Sequence, residues 1–340
     1  MLPSHGRLLA AVCLASAICA TSSPAQDTSA ARPREQSAVG SARISLDASY
    51  TRPRFSDLEA AATVAPFVST HWQVGVAPAI QFVRDNGNNY FAGSAATIAN
   101  YFPRTTGGWL PYVGGYFSEG SASFSSGSGY YGGQAGLLHF LSPAVAFRAE
   151  LRYRREAARG ISYESSDLYL TLDPYLFGRA TRGLTTLPAF GVFDASVFGD
   201  LQLRPSHMLA ANGTVAPFLT HYLQAGVTGT ALFTFDVNSG YHDLEWFGRA
   251  YLPVDRRVLP FADGFVAAHY LTDNETERSH GARAGVRTYL TAGVALDVAF
   301  EWRNYAAVPV GAVPMIRPEA RTVRAALTTQ FRARRRSHGG

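Results

Sequence analysis

Apolar and polar residues alternate along this chain with a period of two, in segments of about ten residues. Over 145–154, Val145, Phe147, Ala149, Leu151 and Tyr153 share one face, and Ala146, Arg148, Glu150, Arg152 and Arg154 share the other. Over 294–303, Val294, Leu296, Val298, Phe300 and Trp302 oppose Ala295, Asp297, Ala299, Glu301 and Arg303. Segment 72–82 sets Trp72, Val74, Val76, Pro78, Ile80 and Phe82 against Gln73, Gly75, Ala77, Ala79 and Gln81. The last such segment sets Val323, Ala325, Leu327 and Phe331 against Arg324, Ala326, Thr328, Gln330 and Arg332. The pattern predicts β-strands, of the length that crosses a bilayer when tilted.

A soluble, half-buried strand would alternate in the same way. Two features point to a membrane instead. The polar face carries arginines beside acids, as a hydrated or ion-paired lumen would. The apolar face ends in aromatics such as Tyr153 and Trp302, placed like an interfacial girdle. Eight strands are expected between 42 and 178 and eight more between 189 and 333. Tight turns are expected at 69–71, 141–144 and 290–293, with longer polar loops at 84–89, 119–129, 156–165 and 272–279. Short turns on one side and longer loops on the other are the asymmetry of an outer-membrane barrel.

The two sets of strands are similar in sequence. Thr63-Val64-Ala65-Pro66-Phe67, Gln73 and Gly75-Val76 return as Thr214-Val215-Ala216-Pro217-Phe218, Gln224 and Gly226-Val227. Tyr101 and Pro103 match Tyr251 and Pro253, Leu110-Pro111 matches Leu259-Pro260, and Val145-Ala146 matches Val294-Ala295. A period near 150 residues is too long for a solenoid or a propeller blade. It is the size of a small domain or of half a large one.

Residues 1–25 read as a secretory signal, with Arg7 ahead of the apolar run Leu8–Ala20 and small residues Ser23 and Ala25 before the expected cleavage. Residues 26–41 form a polar lead-in expected to be disordered, and 334–340 a basic tail. Both cysteines, Cys13 and Cys19, fall within the signal, so the mature chain holds no disulfide or thiolate-ligated metal. After the signal no window approaches the ~18 consecutive apolar residues of a membrane helix. Yet 47% of the chain is apolar and only 16% charged. For such a chain the membrane solution is a closed all-β transmembrane antiparallel barrel, because lipid offers no water to an open sheet edge.

The signal, the amphipathic strands and the terminal aromatic Phe331 resemble the outer membrane β-barrel superfamily, especially OmpX- and OmpW-like small barrels. The resemblance covers almost the whole mature chain. It implies location in the outer membrane of a Gram-negative cell. It also implies contact with membrane lipid and lipopolysaccharide, and handling by the barrel assembly machinery. The chain departs from the pattern in its doubled unit and in the nine residues after Phe331. One barrel of about 16 strands is favoured; two tandem eight-stranded barrels are the alternative.

The expected function is a passive porin-like channel or structural barrel. The alternative is a non-conducting surface barrel whose exterior loops bind a partner or surface polymer. Candidate lumen-lining residues are Arg148, Glu150, Arg152, Arg154, Asp297, Glu301, Arg303, Arg324 and Arg332. With six arginines and three acids, this set implies a mild preference for anions among small solutes. A wide lumen would be water-filled, whereas small barrels would be packed with these side chains. Neither catalysis nor nucleic-acid binding is expected. His139 near Ser142 lacks an orienting third group, and Asp273, Glu275 and Glu277 lack the spacing of a calcium loop. No phosphate-binding glycine loop or zinc-type histidine cluster occurs, so no cofactor or metal is expected.

Overall fold

A computed structural model describes residues 42–332, apart from 53–54, 86–87, 105–107, 123–124, 143, 159–160, 177–191, 253, 255–257, 272–275, 292 and 307–318. The signal, lead-in and tail, and most of the acidic segment around Asp273, lie outside the described residues. The first half forms β1 (Ala42–Arg52), β2 (Phe55–Pro66), β3 (Trp72–Asp85), β4 (Asn88–Tyr101), β5 (Leu110–Ala122), β6 (Ser125–Ser142), β7 (Val145–Ala158) and β8 (Ile161–Leu176). The second forms β9 (Val192–Arg204), β10 (Met208–Pro217), β11 (Leu223–Thr234), β12 (Ser239–Tyr251), β13 (Val258–Leu271), β14 (Thr276–Thr291), β15 (Val294–Ala306) and β16 (Glu319–Arg332). Each strand pairs antiparallel with its neighbours in the chain, and β1 pairs with β16, so the sheet closes as a single ring of sixteen.

The ring is pinched. In its upper half, away from the end where β1 begins and β16 finishes, β1 pairs with β16 from Asp47↔Ala326 to Arg52↔Arg321. There β8 also pairs with β9, from Ser166↔Arg204 to Thr171↔Phe198. In the lower half the partners change. β1 turns to β8 through Ala42↔Leu176 and Arg43↔Tyr175. β16 turns to β9 through Thr329↔Ala195 to Arg332↔Val192. The barrel is therefore one ring above and two eight-stranded lobes below, β1–β8 (lobe 1) and β9–β16 (lobe 2). Pro174, which has no N–H to leave unpaired, sits in β8 where the partner changes.

Between the lobes lies a seam of apolar side chains. Val145, Leu172 and Ala195 are buried there, with Leu141, Ala144, Phe147, Phe193, Val197 and Phe331 packed against them. The rings of Phe193 and Phe331 stack at 5.5 Å. Elsewhere the outward face stays exposed and apolar, as at Val76, Ile80, Val113, Leu151, Val266 and Phe300. Toward the lower end it turns aromatic, with Trp72 on Tyr101 at 5.1 Å and Trp109 on His139 at 4.6 Å.

Two sequence expectations need correction. The segments read as longer loops are largely paired strand: Arg84 faces Asn89, Glu119 faces Gly129 and Arg155 faces Glu164. Gly, Ser and Asn look like loop residues, but a strand that continues beyond the hydrocarbon needs no apolar face. The match of Tyr101 to Tyr251 is also off by one. Phe102 N–H donates to the carbonyl of His71 as Tyr251 N–H does to that of Tyr222. Tyr251 thus corresponds to Phe102 and is buried inside, while Tyr101 faces out; a slip of one residue exchanges the faces of a strand.

Matched glycines let the narrow lobes close. A Cβ at Gly132 would lie 1.9 Å from the carbonyl oxygen of Tyr153, and one at Gly281 would lie 2.1 Å from that of Trp302. At Gly248 a Cβ would meet nothing within 4 Å. Gly281→Ala is therefore expected to cost about 1–3 kcal/mol by overpacking, and Gly248→Ala less than about 0.5 kcal/mol. Urea titration of the barrel in detergent, read by heat-dependent gel mobility, measures both.

Candidate functional site in the two lumens

The inward residues of each strand fill the lobes in layers. Lowest lies an apolar stopper. In lobe 1 it comprises Phe67, Phe102, Leu110, Tyr112, Leu138, Phe140, Ala146 and Tyr175, all buried. Rings pack in series there, Phe67 to Phe102 at 5.1 Å and Phe102 to Tyr112 at 5.2 Å. Lobe 2 has Phe218, Tyr251, Leu259, Phe261, Tyr289, Ala295 and Ala299.

Charged belts lie on the stoppers. In lobe 1 the Arg148 guanidinium donates to Asp173 at 2.7 Å and to Glu150 at 2.8 Å. Glu150 also accepts from Arg152, and from the Tyr112 hydroxyl at 2.5 Å. Arg43 reaches Asp173 from β1 at 3.9 Å, across the β1–β8 closure of lobe 1. A neutral chain runs beside them: Gln134 donates to Asn100 at 2.5 Å, Asn100 to Gln73, and Gln73 to the Ala65 carbonyl. Above is a cavity of about 480 Å³, walled partly by Arg152, Arg154, Asp167, Tyr116 and Tyr169. Arg152 stacks over the Tyr169 ring at 4.0 Å, and Arg154 donates to Ser165 at 3.1 Å.

Lobe 2 carries a larger network. Arg249 and Arg283 both reach Asp263, at 2.7 Å each. Arg283 and Arg303 share Glu245, at 2.6 and 2.5 Å. Arg287 binds Asp297 through two nitrogens at 2.7 Å and forms an ion pair with Asp194, also at 2.7 Å. Asp194 accepts from Gln224 and Gln330 as well, which ties β9 to β11 and β16 where lobe 2 closes.

Of the residues singled out from sequence, Arg148, Glu150, Arg152, Arg154, Asp297, Glu301 and Arg303 lie on inward faces within these networks. Arg324 also faces the lumen but stays half-exposed, 3.8 Å from Glu301. Arg332 ends β16, and its side chain lies outside the described residues. Their partners Asp173, Asp194, Glu245, Arg249, Asp263, Arg283 and Arg287 were not singled out. Alternation on the neighbouring strands, followed through to each charged inward position, would have found them. His139 faces outward in the aromatic girdle, its ring against the Gly108 carbonyl and Trp109. Among the described residues no three His, Cys, Asp or Glu side chains are grouped to hold a metal ion.

A ring without open edges, apolar outside and ion-paired inside, defines a transmembrane β-barrel. No family model matches the chain, and no curated protein matches it. Solved structures do. The chain is similar to BamA from Haemophilus ducreyi lacking POTRA domains 1–3, at 12% identity and TM-score 0.45, over 86% of this chain and 71% of that one. It is similar to a bacterial polysaccharide outer membrane secretin at 10% identity and TM-score 0.45, over 87% and 100%. To Pseudomonas aeruginosa OprD the figures are 9%, 0.35, 87% and 98%.

The belts predict unequal dependence on single charges. Asp263, whose side chain is wholly buried, serves two arginines. Asp263→Ala is expected to destabilise the barrel by about 3–5 kcal/mol, because both cations lose a buried partner. Arg324→Ala should cost under about 1 kcal/mol. Urea midpoints compared in the same detergent check the contrast.

Proposed function

We propose that this protein is a porin-like barrel of the outer membrane that rests closed. The reading is carried by the two apolar stoppers, which fill the lower end of each lobe beneath belts of paired charge. A small barrel has an interior about wide enough for side chains alone, so each lobe is filled where it closes on itself. The upper half, where the halves join, keeps space in the lumen. The termini and the stoppers then belong at the periplasmic end, and the upper mouth opens outward. The exterior belt meets outer-membrane lipid and lipopolysaccharide, and the assembly machinery would act on β16.

Passage of small solutes requires the stopper rings to move. Selectivity in the open state follows from the lining. The networks add the acids Asp173, Asp194, Glu245 and Asp263 and the arginines Arg43, Arg249, Arg283 and Arg287, so the ratio of arginines to acids falls from six against three to ten against seven. We therefore expect weak ion preference rather than a marked choice of anions.

The experiment is a planar-bilayer recording on protein whose folding is confirmed by heat-dependent gel mobility. Wild type is expected to insert with little steady current. Phe102→Ala combined with Leu138→Ala should produce discrete steps with a reversal potential near zero in a salt gradient. Large, constant steps from the wild type would overturn the closed resting state. Recovery of the protein as a soluble periplasmic species would overturn the barrel's location.

A further inference from the structure

In the upper lumen of lobe 2, three inward side chains stand in a line. Asp243 on β12, His269 on β13 and Ser279 on β14 face one another across adjacent strands, through the registers Asp243↔His269 and Ala267↔Ser279. The Asp243 carboxylate lies 2.8 Å from His269 Nδ1. The His269 Nε2 lies 2.9 Å from the Ser279 hydroxyl. We propose that Ser279, His269 and Asp243 form a hydrolytic triad that acts on short-chain carboxylic esters entering the barrel from its upper mouth.

The line has catalytic polarity in one form, with Asp243 as carboxylate and the His269 ring neutral. An ionised carboxylate only accepts, so Nδ1 carries the hydrogen and donates to Asp243. In the neutral ring Nε2 is then the acceptor, and the Ser279 O–H donates to it. This is the arrangement that activates a serine: a base on the nucleophile, with a third group orienting the base. A fourth group completes it. Arg303 Nη1 donates to the Ser279 oxygen at 3.3 Å, and the guanidinium is fixed by Glu245 at 2.5 Å and Glu301 at 3.0 Å. A positive donor beside the nucleophile stands where oxyanion charge develops.

Comparison of the two lobes separates this line from the needs of the fold. Lobe 1 carries the same pairings, Ser94↔Gly120 and Ser118↔Tyr130. Its residues at the places of Asp243, His269 and Ser279 are therefore Ser94, Gly120 and Tyr130. Lobe 1 closes without any member of the line, while the arginine recurs as Arg154, opposite Gly132 as Arg303 is opposite Gly281.

The steps balance with water as the only co-reactant. The Ser279 oxygen attacks the ester carbonyl carbon, and its proton passes to His269 Nε2. Asp243 stabilises the imidazolium and Arg303 the oxyanion. Collapse breaks the ester C–O bond, and the departing alkoxide takes the proton from His269. Water then attacks the acyl-serine, giving its proton to His269. Cleavage of the serine ester releases the acid and returns that proton to Ser279. The site's surroundings set the substrate class. Inward neighbours are Glu245, Glu301, Arg303 and Tyr305, with Ala267 opposite Ser279 and the Phe265 ring already covered by Arg303 at 4.6 Å, which leaves no apolar trough for a long acyl chain. Ser279 is 3% exposed beneath these groups, so the acyl part must be small and must displace the Arg303 hydrogen bond as it enters.

The test uses the refolded full barrel in detergent and a small alkyl fluorophosphonate, which forms a P–O bond to an activated serine with loss of fluoride. Mass spectrometry is expected to place the adduct on Ser279. Labelling should vanish in Ser279→Ala and slow at least ~100-fold in His269→Ala, the scale of a lost general base. Hydrolysis of p-nitrophenyl acetate should fall with it. Absence of an adduct on folded wild-type barrel would overturn the proposal, and so would labelling that survives His269→Ala unchanged. A silent bilayer recording bears only on the channel reading, and this outcome is independent of it.

Discussion

Everything in this molecule follows from the fact that a sheet edge cannot stand open in lipid. Each unpaired N–H or C=O there costs several kcal/mol, so every strand must have two neighbours along its whole length. Two similar sets of eight strands can meet that demand in two ways. Their four terminal strands pair between the sets and make one wide ring, or pair within each set and make two narrow ones. This chain does both, at different heights. β1 is bound to β16 above and to β8 below, and β9 to β8 above and to β16 below. Where the partners change, bonding is replaced by packing: the seam around Val145, Ala195, Phe193 and Phe331 fills the gap the pleats cannot bridge.

The pinch then dictates the interior. A lobe of eight strands leaves room for side chains and little else. Small inward residues such as Gly132 and Gly281 admit the large ones opposite, Tyr116 and Phe265. Charges inside so narrow a space are tolerable only when paired, since an isolated buried ion is expelled or neutralised. Hence Glu150 serves two arginines and a tyrosine, and Asp263 serves two arginines. Above the pinch the demand relaxes, which is why Arg324 remains half-exposed while Arg287, lower down, is buried.

Much of this was legible in the chain. Alternation located the strands and assigned Arg148 and Glu150 to one face and Leu151 and Tyr153 to the other, while the expectation of one ring came from the single terminal aromatic, Phe331, and the resemblance to single-barrel proteins. What alternation does not carry is the partner. Val145 and Phe331 read like any lipid-facing residues, yet they lie between the lobes, because period two reports a face and not what covers it. Hairpins such as Glu119↔Gly129 were read as loops, since polar strands beyond the hydrocarbon lose the pattern. The line of Asp243, His269 and Ser279 was not seen at all. Its members stand 26 and 10 residues apart, and only the register across two hairpins brings them together.

The two lobes also show which feature of a buried charge network must be kept. At equivalent places the signs are exchanged: Arg148 of lobe 1 stands where lobe 2 has Asp297, and Arg152 where it has Glu301. Arg43, at the lower end of β1, stands where β9 has Asp194. Each exchange is answered locally. Arg148 is met by Asp173 and Glu150, while Asp297 is met by Arg249 and Arg287. Arg287 itself stands at the place of Leu138, and Asp194 is its ion-pair partner at the level of the lobe 2 stopper. The sign at such positions differs between the lobes, because closure requires that a buried charge face an opposite one and does not fix which strand carries which. Residues whose chemistry is more than complementarity, such as an imidazole between a carboxylate and a hydroxyl, stand out against that background. Compensation of charge does not call for them.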